Sequence, residues 1–214
     1  SGPGGTNLAT GIASAYYDSV PCLFITGQVG MFHVKGDREV RQRGFQETDI
    51  VEIVKPITKY AVMISNPLDV KYEFEKALYI AKTGRPGPVL IDLPYNVQRS
   101  MINPHTARSF IPPKKEDLTA KFLISINKIL KELENSSRPL IIAGGGVRIS
   151  EQTDNLYKLI NKLSVPVVAT WSCSDMFTDD NNLYFGKTGV GGNPSAINAI
   201  QESDFILALG TRFP

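Results

Sequence analysis

Two short polar stretches near the start of the sequence carry residues that can hold a ligand. The first is SGPGGTN at residues 1–7, and the second is GFQETD at residues 44–49. A turn of glycine and proline has little side-chain bulk, so its backbone can approach a ligand and open a helix with free N–H groups. In the second stretch, Phe45 offers an aromatic wall. Gln46 offers an amide that can hydrogen-bond a carboxylate or a developing alkoxide without ionising.

Each stretch also has an ordinary structural interpretation. The first can be a simple strand-to-helix turn in which Thr6 or Asn7 caps the next helix. The second can be a surface Gln-Glu pair that opens a helix from Thr48, with Glu47 and Asp49 complementing the helix dipole. For Glu47 and Asp49 the structural interpretation is the one we favour, and for Phe45 and Gln46 the functional one.

Two further features lie next to predicted strands. Arg85 lies between a predicted helix end and a predicted strand, where a solvated loop arginine is the ordinary interpretation. Gly144, Gly145 and Gly146 follow an apolar run. The triplet lacks the third glycine of a dinucleotide-binding fingerprint, so taken alone it is equally typical of a tight turn.

Apolar runs alternate with helical periodicity along the chain, which predicts parallel sheets flanked by helices. Strands are expected at residues 20–26, 58–64, 88–93, 139–143, 165–170 and 205–209. Helices are expected from residue 8, from Thr48, from Asn66-Pro67 to Gly84, over residues 116–133, from Ser150 and from Asn193-Pro194. The polar segment 27–44 is expected to be a solvated loop or a mobile flap over a site. The predicted fold class is α/β, with two doubly wound parallel-sheet units.

The alternation is interrupted once, near residues 96–113, where prolines and polar residues show no periodicity. This interruption predicts a linker over residues 98–113. Residues 1–97 and 114–214 then form the two units. The chain starts without Met, inside a turn motif, and stops just past an apolar run, so we interpret it as an internal piece of a longer polypeptide.

Composition excludes several classes of protein. Hydrophobic residues make up 42% of the 214 residues and the formal net charge is +2, so a packed core is expected and a nucleic-acid partner is not. Cys22 and Cys173 lie in apolar runs and predict reduced core cysteines of a cytoplasmic protein. The two histidines have no partners at ligand spacing, so no metal site is predicted. No apolar run is long enough to predict a membrane span.

The ordered set of motifs resembles the acetolactate synthase branch of the thiamine-diphosphate enzymes. The likeness rests on SGPGGTN, on ITGQV at residues 25–29, on FQE at residues 45–47, and on TGRPGPV and DLP at residues 83–89 and 92–94. It continues more weakly at residues 144–146 and 209–213. The resemblance implies a partial pyrimidine-binding domain over residues 1–97 and a partial central, FAD-like domain over residues 114–214.

The resemblance also implies roles for individual residues. Pro3 and Asn7 match the wall that holds thiamine diphosphate, and Gln46, next to Phe45, matches an amide facing the reacting carbon. Arg85 and the triplet Gly144, Gly145 and Gly146 match positions near FAD. The Mg²⁺ ligands and the glutamate that activates the cofactor are expected outside this segment, so residues 1–214 alone are expected to be inactive.

The implied function is that of a thiamine-diphosphate-dependent 2-keto acid decarboxylase and carboligase, a transferase or lyase that takes a substrate such as pyruvate. The active site is expected between subunits of a homodimer or tetramer. A related thiamine-diphosphate lyase or oxidase, or a non-catalytic nucleotide- or flavin-binding module, stays open. Five positions depart from the family pattern: Gly30, Gly44, Tyr95, Asn96 and Pro214. They weaken acetolactate as the product and FAD as a ligand.

Overall fold

The computed structural model describes residues 1–114 and 119–212. The chain divides into two compact units, Ser1–Lys115 and Glu116–Pro214. Among the described residues, each unit contains one parallel sheet, of three strands in the first unit and four in the second. The predicted α/β fold class with parallel sheets is therefore confirmed.

The first unit is built around β3 (Val89–Pro94), which pairs with β1 (Leu23–Gln28) and β2 (Tyr60–Met63). Side chains alternate between the two faces of β3. Val89 and Ile91 pack with α3 (Val70–Lys82), whereas Leu90 packs with α1 (Leu8–Tyr17) and α2 (Ile50–Val54). Both faces of this sheet are therefore covered, as a doubly wound arrangement requires.

The ends of two elements in this unit have clear local causes. β1 begins at Leu23 rather than at the predicted residue 20, because Pro21 has no N–H to contribute to a ladder. At the end of α3, Lys59 donates from its Nζ to the carbonyl oxygen of Thr83, at 2.6 Å, and to that of Ile80. Gly84 follows with a left-handed φ of 64°. A cation and a glycine at this place stabilise a helix C-terminus.

The segment 98–113, predicted to be a linker, belongs to the first unit. It begins just as the short α4 (Tyr95–Gln98) ends. Phe110 contacts the rings of Tyr72 and Tyr79, with ring centroids 5.7 Å and 5.4 Å apart, and its N–H donates to Glu75 at 2.7 Å. These contacts attach the segment to α3. The boundary between the units falls after Lys115.

The second unit has β4 (Pro139–Ala143) between β5 (Val167–Ala169) and β7 (Phe205–Leu209), with β6 (Tyr184–Lys187) at the edge. One face packs on α6 (Gly146–Ile149) and α7 (Thr153–Leu163), and the other on α8 (Pro194–Glu202). β6 and the short α6 were not predicted. The predicted cap Ser150 does not begin α7; its hydroxyl donates instead to the carbonyl oxygen of Val147 at 3.0 Å.

The long helix α5 (Thr119–Asn135) was predicted over residues 116–133, and the start of that prediction lies outside the described residues. Its apolar stripe is only partly covered. Leu133 is buried, whereas Phe122 and Ile126 are 58% and 46% exposed.

Candidate functional site

A buried carboxylate lies at the carboxyl edge of the first sheet. Asp92 on β3 is 1% exposed and lies beside Thr26 of β1 in the strand register. The Thr26 hydroxyl donates to Asp92 Oδ1 at 2.7 Å, and Gln28 donates from Nε2 to Asp92 Oδ2 at 3.0 Å. A buried carboxylate without partners would be strongly destabilising, so these two donors are what allow Asp92 to stay at this position.

Burial and hydrogen bonding act on Asp92 in opposite directions. Burial raises the pKa of the Asp92 carboxyl above its ordinary value, and the negative charge of Asp49 adds to that rise. The bonds from Thr26 and Gln28 lower the pKa again, although they do not cancel the effect of burial.

Gln28 connects this carboxylate to the second polar stretch. Its Nε2 also donates to the backbone carbonyl of Thr48 at 2.7 Å, and its Oε1 accepts from the N–H of Val29 at 3.0 Å. Both ends of the amide are therefore engaged, which fixes its orientation. One side chain thereby links β1, β3 and the loop that contains Phe45 and Gln46.

Gln46 has an unusual backbone conformation and lies against the first polar stretch. Its φ is 64°, in the left-handed region that residues other than glycine and asparagine rarely adopt. Gly2, with φ 62°, approaches so closely that a β-carbon there would lie 2.6 Å from the Gln46 carbonyl oxygen. The two motifs that the sequence singled out are thus in direct contact, and glycine is required at position 2.

Glu47 differs from our interpretation of it as a helix-dipole residue. Its carboxylate accepts three backbone N–H bonds, from Lys35 at 2.6 Å, Arg43 at 2.7 Å and Gly44 at 3.3 Å. Burial raises the pKa of Glu47, but the three backbone donors and the charge of Lys35 outweigh it and leave the pKa below its ordinary value. Glu47 therefore connects Lys35 to Arg43 and Gly44, within the segment 27–44 that was predicted to be a loop or flap.

Asp49 behaves as the sequence predicted, as a helix-end residue. It is the N-cap of α2, and its side chain accepts from the N–H of Glu52 at 3.3 Å. The expected cap from Thr48 is therefore wrong by one residue. Thr6 and Asn7 form no side-chain cap either: residues Gly2–Asn7 make a 3₁₀ turn, and the Thr6 hydroxyl donates back to the carbonyl oxygen of Pro3 at 2.6 Å.

The residues proposed to touch the cofactor and substrate share one property. Pro3, Asn7, Phe45 and Gln46 are all exposed, and Phe45 is 87% exposed. Beneath them Gly5 is buried, and a β-carbon on it would be 3.6 Å from Cγ2 of Thr26.

Two of the positions that depart from the family pattern contact each other. The side-chain oxygen of Asn96 accepts from the N–H of Met31 at 2.9 Å, and a β-carbon on Gly30 would be 3.7 Å from that oxygen. The neighbouring Tyr95 accepts from Arg99 at 2.6 Å through its hydroxyl. The exposed Tyr95-Asn96 pair thus holds the turn after β1 and places the Arg99 cation beside it.

Arg85 and the glycine triplet lie in different units. Arg85 donates from Nε to the hydroxyl of the buried Ser19 at 2.7 Å. The N–H groups of Gly144, Gly145 and Gly146 donate to the Leu209 carbonyl, the Ser172 hydroxyl and the Gly210 carbonyl, respectively. The triplet also allows close packing, because a β-carbon on Gly144 would lie 2.5 Å from the carbonyl oxygen of Gly210.

Neither unit offers a metal centre in the residues that the structure covers. Within residues 1–114 and 119–212, no group of three His, Cys, Asp or Glu side chains is arranged to hold a metal ion. No helix in these two ranges has the length and apolar character needed to cross a membrane.

Comparison with known proteins connects both units to one family. Residues 1–53 match the thiamine pyrophosphate enzyme N-terminal TPP binding domain, and residues 126–214 match the thiamine pyrophosphate enzyme central domain. Together the two matches cover more than half of the chain.

Similar curated proteins have consistent names. The acetolactate synthase large subunit of Lactococcus lactis is 39% identical over 213 residues, which is 100% of this chain and 36% of the relative. The large subunit of Corynebacterium glutamicum is 37% identical over 219 residues, which is 100% of this chain and 33% of the relative. The probable acetolactate synthase large subunit of Methanocaldococcus jannaschii is 40% identical over 217 residues, which is 100% of this chain and 36% of the relative.

The chain spans about a third of the length of these curated relatives. The relatives match it over its whole length, and the two domain matches agree with the two parallel-sheet units. This chain belongs to the thiamine pyrophosphate enzyme family.

Proposed function

We propose that the protein containing this chain is a thiamine-diphosphate-dependent 2-keto acid decarboxylase and carboligase of the acetolactate synthase type. The observation that supports this most is the contact between Gly2 and Gln46, because it joins the cofactor-wall motif to the motif that faces the substrate. The names of the similar proteins support a substrate such as pyruvate. In reaction class it is a transferase or lyase.

When bound, thiamine diphosphate would supply the chemistry of a carbon nucleophile and of an electron sink for decarboxylation. Pro3 and Asn7 hold the aminopyrimidine side of the cofactor, and Phe45 limits the pocket with an aromatic wall. Gln46 donates a hydrogen bond to the carboxylate or to the oxygen of the reacting carbon. The bond accelerates the reaction only to the extent that it strengthens in the transition state.

The remaining parts of the site lie outside this chain in the same proposal. Mg²⁺ and the diphosphate are held by residues other than residues 1–214. The active site forms between subunits of a homodimer or tetramer. Pro3, Asn7, Phe45 and Gln46 are all exposed, as residues of a site completed by a second surface would be. Residues 1–214 alone are therefore expected to be inactive. The two free cysteines agree with a cytoplasmic location.

FAD is a further cofactor in the proposal, and Arg85 is the residue with the chemistry to hold it. The N–H groups of Gly144, Gly145 and Gly146 already donate within the chain, so the triplet would offer FAD van der Waals contact rather than free donors.

In the full-length protein, Arg85→Ala should weaken FAD binding by about 1.5–3 kcal/mol. Ser19→Ala removes only the side-chain partner of Arg85 and should weaken FAD binding less. A colourless protein whose melting temperature does not respond to FAD would remove FAD from the proposal.

The direct test is to incubate the purified full-length protein with pyruvate, thiamine diphosphate and Mg²⁺ and to measure carbon dioxide and acetolactate. A carboligase forms both in a cofactor-dependent way. A related lyase would release an aldehyde, and a related oxidase would consume oxygen. A protein that binds no thiamine diphosphate in calorimetry would instead fit a non-catalytic nucleotide- or flavin-binding module and contradict the proposal.

A further inference from the structure

The left-handed backbone of Gln46 is held in place by contacts on both sides of it. On one side, Gly2 packs directly against the carbonyl and the β-carbon of Gln46. On the other, the Thr48 carbonyl accepts from Gln28 at 2.7 Å. A residue in this sparsely populated conformation persists only when its surroundings fix it, and such conformations concentrate at functional sites.

Gln28 is the only described side chain that hydrogen-bonds both the buried carboxylate and this loop. Its amide cannot rotate by half a turn without cost, because a reversed amide would place Oε1 against the Asp92 carboxylate and the Thr48 carbonyl. The reversal would also lose the bond from Val29 N–H. The carboxylate of Asp92 therefore selects the orientation of Gln28, and that orientation selects the position of Thr48.

We propose that Gln28, oriented by Asp92, is a positioning residue that fixes the backbone of residues 46–48 and thereby aims the Gln46 amide. This inference rests on the proposed function for the role of Gln46, but the link from Gln28 to the backbone is separate from it. Gln28 and Asp92 are 7% and 1% exposed, so they act on the site from beneath it and do not touch the substrate.

The chain offers a matched control for this role. Thr26 is also 7% exposed, and it also gives Asp92 one hydrogen bond. Gln28→Met and Thr26→Val keep the approximate shape of each side chain and remove one donor each from the same carboxylate. Only Gln28→Met also releases the Thr48 carbonyl. A merely structural role predicts similar effects of the two changes, whereas positioning predicts different ones.

The first measurement is hydrogen exchange of peptides covering residues 44–50 in the full-length protein without cofactor. Gln28→Met should speed exchange at the N–H groups of Glu47 and Ile50, which close this turn, while Thr26→Val leaves it unchanged. Equal exchange in the two variants would overturn the proposal. Gln28→Asn, whose shorter side chain cannot span Asp92 and the Thr48 carbonyl, replaces Gln28→Met if the latter does not fold.

The second measurement determines kcat and KM for pyruvate separately in each variant. Gln28→Met should lower kcat by about 10²-fold, the loss expected from displacing a reacting group by about 1 Å, with little change in thiamine diphosphate affinity. Thr26→Val should lower kcat less than Gln28→Met does, because the Thr48 carbonyl keeps its bond from Gln28. Equal kcat losses in both variants would overturn the positioning role. If the wild type has no activity, the proposed function fails, and the exchange measurement still decides whether Gln28 fixes the loop.

Discussion

The backbones of Gly2 and Gln46 are in contact. Each residue has a left-handed backbone conformation, with φ of 62° and 64°, respectively. A β-carbon on Gly2 would be 2.6 Å from the Gln46 carbonyl oxygen and 2.8 Å from the Gln46 β-carbon. Real β-carbons do not approach backbone atoms this closely. The glycine-rich turn is therefore the surface on which the second motif rests, in addition to any contact it makes with a ligand.

Gly2→Ala should both destabilise the protein and disturb the site. The new β-carbon collides with backbone and stands in a left-handed conformation, and overpacking of this kind costs about 1–3 kcal/mol. We expect a lower midpoint of thermal unfolding and a large loss of turnover. Gly11→Ala is the control, because a β-carbon there meets no atom within 4 Å and alanine favours the surrounding helix. A Gly2→Ala protein as stable as Gly11→Ala would contradict the close contact.

Gln46→Gly should leave the protein more stable than Gln46→Ala. Alanine keeps a β-carbon in the left-handed region, which costs about 1–2 kcal/mol, whereas glycine does not. The gain is reduced because glycine gives the unfolded chain more freedom. The comparison uses the thermal midpoints of the two full-length variants. A lower midpoint for Gln46→Gly would show that the backbone at this position is not strained.

Glu47→Gln should destabilise the loop in a way that depends on pH. The pKa of Glu47 is below its ordinary value of 4.5. The charged carboxylate therefore stabilises the folded state above about pH 4.5, and this stabilisation is lost as the pH falls through the lower folded value. A glutamine offers only one acceptor oxygen to three N–H groups.

The corresponding measurement is the thermal midpoint between about pH 7 and about pH 3. The difference between wild type and Glu47→Gln should be largest near neutral pH and should shrink in acid. Glu39→Gln, an exposed carboxylate in the same loop, should show no such difference. A pH-independent difference for Glu47→Gln would mean that the carboxylate charge does not hold the loop.

The glycine triplet should respond to alanine in a graded way, even without flavin. A β-carbon on Gly144 or Gly146 meets backbone of Gly210 at 2.5 Å or 2.7 Å, whereas one on Gly145 meets the movable hydroxyl of Ser172 at 2.8 Å. Gly144→Ala and Gly146→Ala should therefore lower the thermal midpoint much more than Gly145→Ala. Equal and small effects would favour a role of the triplet in ligand contact alone.

Some of this architecture follows from the sequence by local rules. In β3, a run that is apolar except for Asp92 predicted a buried strand, and Val89 and Leu90 do face opposite, covered sides. The short β6 was missed because Tyr184–Lys187, which contains Gly186 and Lys187, lacks the apolar content of the other strands. The periodicity of residues 116–133 predicted the helix α5, but periodicity gives an apolar face and not the element that covers it.

The site was predictable only in part. The resemblance, which rests on the order of the motifs, identified Phe45 and Gln46 as candidate site residues. The roles of Asp92 and Gln28 could not be predicted in this way, because they depend on a hydrogen bond between residues 64 positions apart. The available signal was that polar Thr26, Gln28 and Asp92 stand at the ends of otherwise apolar strands, where a polar residue needs a buried partner. The three backbone bonds to Glu47 depend on how residues 35–44 fold back, and no local pattern shows this.

The central claim is that Gln46 acts on the reacting carbon of a 2-keto acid in a thiamine-diphosphate site. The most direct measurement is kcat/KM for pyruvate in the full-length protein carrying Gln46→Ala, together with its thiamine diphosphate affinity. We predict a loss of about 10²-fold in kcat/KM, comparable to removing one oxyanion donor, with cofactor affinity nearly unchanged. Gln201→Ala, at an exposed glutamine on α8, should have no effect. Full turnover in Gln46→Ala would contradict the account.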